Sequence, residues 1–182
     1  VLDAGGMSAP HVLGPMPTDR RMTVIDEQLV HAPLASIFAL AADVENWPKH
    51  LPHYRYVRFH ERRADGGGTV EMSANRPFGV IDWPTWWTSL MTVTPPGSAV
   101  PSIRFRHIRG VTKGMDVEWT FVPHADDVLV RIVHVWNGPP VPLIGDVAAR
   151  GVIGPVFVHG IASRTLAGLA RAAESSKTSS RA

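Results

Sequence analysis

The sequence predicts an α+β domain: a curved antiparallel sheet of about six to seven strands wrapped around one long C-terminal helix, with two short helices after the first strand. Three observations carry that prediction. Between Tyr54 and Trp136, apolar residues recur at two-residue spacing in run after run. Helical spacing appears once before that stretch, at Leu34, Ile37, Phe38, Leu40 and Ala41, and once after it, toward the C-terminus. The connections between the alternating runs are short, which argues for a meander of neighbouring strands. One helix laid on one concave face buries the apolar side of both.

Taken in order, "MTVIDEQLVH" (Met22 to His31) is the first strand, ended by Ala32-Pro33. Pro33 can open a helix, because its missing N–H has no intrahelical partner in the first turn anyway. Asn46, ahead of "WPKHLPHY", marks a second short helix or tight turn. "YRYVRFHER" is strand-like and stops at "ADGGG", a turn by composition. Thr69 to Asn75, the tryptophan-rich run Val80 to Val93, Ser102 to Gly110, Met115 to Pro123 and Val128 to Trp136 follow as strands. "TPPGSAVP" and "HADD" are turns between them. "NGPPVPLIGD" (Asn137 to Asp146) breaks the pattern, and its stretch from Gly138 to Pro142 suits either a lid or a rigid corner. The remainder is helical, its main segment starting at Pro155 with Val156, Phe157, Gly160, Ile161, Leu166 and Leu169 on one apolar face. The domain is therefore expected over 22–175. Residues 1–21 read as a loose Pro- and Gly-rich arm, with Met7 as a natural start that sets 1–6 aside, and 176–182 as a frayed tail.

Composition narrows the function classes. Hydrophobic content of 45% and charged content of 19% are globular values. There is no cysteine, which removes thiol nucleophiles, disulfides and thiolate metal sites and fits a cytoplasmic protein. A net charge of only +2 is not the footprint of a nucleic-acid binder. The local cluster "RYVRFHERR" (Arg55 to Arg63) reads first as the solvated side of a strand and second as a phosphate or membrane patch. No run approaches the roughly 20 apolar residues that span a bilayer, so no integral membrane association is expected. None of the nine histidines falls at a recognisable metal-ligand spacing, and no phosphate loop or nucleophile elbow appears. No metal and no cofactor are expected.

Alternation sorts the strand residues by face. Met115, Val117, Trp119 and Phe121 share one side of their strand. Ile132, His134 and Trp136 share a side if Arg131 takes the other. Trp83, Thr85, Trp87, Ser89 and Met91 oppose Trp86 and its neighbours. In "IRFRHIR" either Phe105 with His107 or Arg104 with Arg106 faces in. A histidine beside Ile132 and Trp136 is either a core histidine or a proton-handling group in an apolar cavity. The tryptophans are equally core filler or the walls of a pocket for a flat apolar ligand.

"HAPLASIFALAADVENWPKHLPHY", "RRADGGGTVEM" and the terminal "IASRTLAGLARAAE" resemble the START-like helix-grip superfamily (SRPBCC), and within it the polyketide cyclase/dehydrase group that includes aromatase/cyclases. The resemblance covers about Met22 to Ser175 and implies the helix-grip fold with a deep internal cavity. It implies a hydrophobic ligand, polyketide-like, lipid or quinone, and either cyclase chemistry (aldol closure and dehydration) or simple carriage. An acyl carrier protein is the partner such a cyclase would use. Trp47, Tyr54, Trp87, Trp119 and Ser89 match family cavity positions. The family's key arginine falls on Met91, which removes the expected stabiliser of a developing enolate. Tyr54, His134 and Arg106 are then the candidate acid/base and orienting groups. Leu51, Trp83, Met91, Met115, Val117, Ile132 and Trp136 join Trp47, Trp87, Ser89 and Trp119 as candidate ligand contacts.

Overall fold

The computed structural model describes residues 13–78, 81–138 and 158–179. Seven strands form one antiparallel sheet in the spatial order β1-β7-β6-β5-β4-β3-β2. They are β1 (Met22–Val30), β2 (Tyr54–Arg62), β3 (Gly68–Phe78), β4 (Ile81–Thr94), β5 (Ser102–Gly110), β6 (Asp116–His124) and β7 (Asp127–Trp136). Strands β2 to β7 run as the expected meander. The excursion through the two short helices carries β1 to the far edge, where it pairs along its whole length with β7. Helix α1 (Leu34–Ala42) begins one residue after Pro33, a 3-10 turn (Val44–Asn46) follows, and α2 (Trp47–His50) is a single turn. Helix α3 (His159–Ser179) closes the concave face.

The core lies between that helix and the sheet. Val158 just ahead of α3 and Ala162, Leu166, Leu169, Ala170 and Ala173 on it are buried in one stripe, as expected of a helix with one apolar face. From the sheet, Val70, Met91, Ile103, Phe121, Val130 and Ile132 are buried on the facing side. Phe38 of α1 meets Phe121 edge-on at 5.0 Å between ring centres, so the first helix plugs the β6 end of the same core.

Residues 13–21 carry no helix or strand; among them Leu13 is buried, the Gly14 carbonyl accepts from Arg104, and the Arg21 N–H donates to Asn137 Oδ1. Arg104 lies between this segment and Glu118, 3.6 Å away on β6. At the other end, α3 runs on to Ser179, beyond the expected boundary at 175. There Ser175 and Ser176 donate their hydroxyls to the carbonyls one turn back, Arg171 and Ala172. The expected helix start at Pro155, with Val156 and Phe157, and the Pro-rich stretch from 139 lie outside the described residues.

The β4–β5 pairing contains a bulge between Thr88 and Ser89. It allows Gly110 to lie against Trp87 with φ +89°, where an added Cβ would stand 2.3 Å from the Trp86 carbonyl oxygen. Gly110→Ala should therefore destabilise the domain by more than the ~1 kcal/mol of a strain-free glycine exchange, since positive φ and a backbone clash combine. Urea unfolding of the two proteins measures this. A neutral result would mean that the hairpin relaxes freely.

Candidate functional site

Helix α3 meets the sheet closely only along part of its length, and a cavity remains at its N-terminal half. Its wall is built from Trp47, Tyr54, Met72, Trp87, Phe105, His107, Thr112, Met115, Val117, Trp119, His134, Val158, Ile161, Ala162 and Thr165. The interior leaves about 60 Å³ for the centres of water-sized spheres, several times the ~10–15 Å³ that one water needs on this measure.

One side of the wall is a chain of aromatic rings. Trp47 lies 5.7 Å from Trp119 and 5.2 Å from Tyr54, Tyr54 lies 6.2 Å from Trp87, and Trp87 stacks on His107 at 5.8 Å. Phe105 joins at 6.4 Å from Trp47. The Trp47 indole N–H donates to the Leu40 carbonyl (3.1 Å), so α1 fixes the ring at the centre of this chain and its one polar atom needs no ligand.

The other feature is a polar end. After β5 the chain turns through Gly110 and Gly114, both at positive φ, and folds Thr112 back under the sheet. The His107 N–H donates to the Met115 carbonyl and the Gly114 N–H to the His107 carbonyl. Thr112 Oγ1 then lies 2.6 Å from His107 Nδ1, with both side chains buried. Trp136 secures the same turn from β7, donating its indole N–H to the Lys113 carbonyl (2.9 Å). His134 faces the cavity from β7, paired in register with Val117 of β6.

Among the sequence-derived candidates, Trp47, Tyr54, Trp87, Met115, Val117, Trp119 and His134 come together in this wall. Arg131 points outward to Glu27 (3.3 Å), which is why His134 points inward. Arg106 is a correction: it lies on the outer face, with Nε 2.8 Å from Asp116 Oδ1, because β5 turns Phe105 and His107 inward instead. Leu51 is buried over Gly168 of α3 rather than in the cavity. Ile132 is core, and Trp136 is tied to the hairpin turn. Ser89 and Met91 share the inner face with Trp87, but both are fully buried and neither reaches the wall. The Trp83 side chain lies outside the described residues. Arg63 reaches the Met91 carbonyl (2.9 Å), yet the described wall holds no arginine or lysine.

Sequence reasoning missed Met72, Thr112 and Thr165. Met72 had a signal, since it alternates with Val70 and Ala74. Thr165 sat unnoticed as the one hydroxyl on an apolar helix face. Thr112 had none, lying in a turn without period. It also missed Asp26, buried on the inner face of β1 with Oδ1 2.5 Å from His159 Nδ1. Burial pushes that carboxyl above its usual range, and His159 opposes the shift. Among the described residues no three acidic or histidine side chains gather as metal ligands.

His53 stands at the edge of the cavity, its Nε2 3.1 Å from Thr165 Oγ1. Burial, with Arg164 nearby, pushes its pKa from 6.5 down to about 4. The folded protein thus binds fewer protons than the unfolded chain between those values, and stability should fall as pH drops through that window. Melting curves from pH 7 to pH 4 should show that loss in the parent and a flatter profile in His53→Gln. Parallel profiles would remove His53 as the cause.

The comparisons agree with this architecture. The family model described as polyketide cyclase/dehydrase and lipid transport matches residues 30–158. A solved protein of Thermus thermophilus has a TM-score of 0.70 at 17% identity, covering 85% of this chain and 98% of its own. The Zhui aromatase/cyclase from a Streptomyces species has a TM-score of 0.66 at 19% identity, covering 84% of this chain and 93% of its own. A START superfamily protein from Mycobacterium smegmatis has 0.57 at 20%, covering 83% and 93%. At these identities the solved structures show the shared helix-grip fold. No curated protein matches the chain.

Proposed function

Since the chain belongs to the polyketide cyclase/dehydrase and lipid transport family, we propose that its cavity binds a flat hydrophobic small molecule, polyketide-like or quinone-like, bearing carbonyl or hydroxyl groups. The observation that carries this reading is the ring chain from Trp119 through Trp47, Tyr54 and Trp87 to His107. Aromatic faces in succession offer offset or edge-on contact to another planar ring, which an aliphatic wall does not. The polar groups are few: the His107–Thr112 pair, His134, Thr165 and the Tyr54 hydroxyl are the ones a ligand's oxygens could meet. Two methionines, Met72 and Met115, give the wall side chains that can repack around a larger guest.

Cyclase chemistry is the second reading, and the two imidazoles favour it. Aldol closure needs a proton removed from carbon and one delivered to oxygen, and dehydration needs the new hydroxyl protonated as it leaves. His107, oriented by Thr112, and His134 are in the cavity to exchange such protons, and the Tyr54 hydroxyl is a third acid. What the described wall lacks is a cation for the developing enolate, since Met91 stands where the resemblance implies an arginine and Arg106 lies on the outer face. Binding without turnover therefore ranks first.

Calorimetric titration with a hydroxylated anthraquinone should give one site per chain. Trp87→Leu should weaken it about tenfold or more, in line with the ~0.5–1.5 kcal/mol of a ring pair plus lost apolar contact, while the exposed Trp86→Leu leaves it unchanged. Equal loss in both variants would sink the cavity reading. With a poly-β-ketone mimic, a fall in turnover of about 10²–10⁴-fold in His134→Ala with binding retained would move the protein to the cyclases.

A further inference from the structure

The outer face of the sheet is not uniformly polar. Trp86 of β4 projects from it and is 48% exposed, opposite Ser73 of β3. Val111, in the turn after β5, is 51% exposed. Gly110 is in register with Trp87, which sets Val111 beside Trp86 at this end of the sheet. Cations lie near the pair in register and in sequence. Arg109 is opposite Thr88, the next outward residue after Trp86, and Lys113 lies two residues beyond Val111. On the other side, Arg55 reaches Ser73 Oγ at 3.4 Å.

Among the described residues Arg55, Arg109 and Lys113 are exposed and make no ion pair. Carboxylates of the same face are already held: Glu71 by Arg58 (2.7 Å) and His60 (3.0 Å), Asp116 by Arg106 (2.8 Å). An exposed tryptophan and valine with uncommitted cations beside them make a surface that is apolar at its centre and cationic at its margin.

We infer that this outer face, centred on Trp86 and Val111 with Arg55, Arg109 and Lys113, docks peripherally on an anionic membrane surface. The charges would meet lipid headgroups, while the indole, amphipathic by nature, would seat at headgroup depth. A bilayer suits the shape better than a protein does. The face is the outside of a sheet curved around α3, so it offers no groove for a peptide or helix, whereas a lipid surface conforms to a bulge. The attachment is by surface contact alone, and no helix among the described residues is long and apolar enough to cross a membrane.

The arm contributes by subtraction. It covers Arg104, which donates to the Gly14 carbonyl and lies 3.2 Å from Met16 Sδ, and so withdraws that cation from the face. Arg109 on the same strand stays exposed.

Co-sedimentation of the full chain with phosphatidylcholine vesicles, with and without one-third phosphatidylserine, tests the inference. Binding is expected only to the anionic vesicles and should weaken with salt. Each neutralised cation should cost about fivefold in partitioning, so Arg55→Gln with Arg109→Gln should cost roughly 25-fold. Trp86→Ser should weaken binding further and abolish the blue shift of tryptophan emission on adding vesicles. All three side chains are exposed, so unchanged melting temperatures would establish that the variants fold. Equal binding to neutral and anionic vesicles would overturn the proposal, as would no binding to either. Retention on immobilised polyglutamate without vesicle binding would also overturn it and point to an acidic protein instead.

Discussion

One helix has to cover the concave side of seven strands, and it is too narrow to do so. Six inter-strand spacings of about 4.8 Å make a sheet about 29 Å across, whereas a helix with its side chains is about 10–12 Å wide. Curvature brings the edges toward the helix but cannot close the whole gap. The remaining space must be filled by large side chains, by the short helices, or by something that is not protein. Toward the C-terminal half of α3 it is filled: Leu166, Leu169, Ala170 and Ala173 are buried in the same core cluster as Val70 and Ile103. At the N-terminal half the same stripe presents Val158, Ile161, Ala162 and Thr165, which are mostly short, to a wall of rings that stand apart. The cavity is the consequence of small residues on the helix facing flat ones on the sheet.

That geometry explains which parts were legible in the sequence. Period-two alternation is a backbone property, and it located the strands from β2 to β7 within a residue or two at most boundaries, including β5 at Ser102–Gly110. It also sorted Val117, Trp119 and His134 to the inner face. What alternation cannot tell is how far a buried inner-face residue stands from the helix. Ser89, Met91 and Ile132 share the face of the cavity residues and are fully buried without lining the wall. The choice between Arg106 and His107 was open in the sequence, since both sets on that strand mix polar with apolar residues. The opposing strand decides it: Asp116 and Glu118 on the outer side of β6 draw Arg104 and Arg106 there.

The polar end of the cavity was the least legible feature, for a related reason. Thr112 comes from a turn, where no periodicity constrains direction. Its position depends on two glycines at positive φ and on carbonyls that accept from His107 and Trp136. Those contacts carry no periodic signal in the sequence, and the one from Trp136 spans 23 residues. Yet together they set the direction of His107, which is held on one side by Thr112 and on the other by the face of Trp87.

This arrangement also bears on Met91, where the family resemblance implies an arginine. With Met91 buried opposite Phe105 and Gly68, the strand position has been given to packing, and a guanidinium placed there would need a partner that the surrounding apolar core does not supply. The polar side chains of the described wall lie elsewhere: His107 and Thr112 by the β5–β6 turn, and His134 on β7. An imidazole can donate or accept according to its tautomer, whereas a guanidinium only donates. A cavity polarised in this way suits the carbonyls and hydroxyls of a finished aromatic ring at least as well as the enolate of one being made.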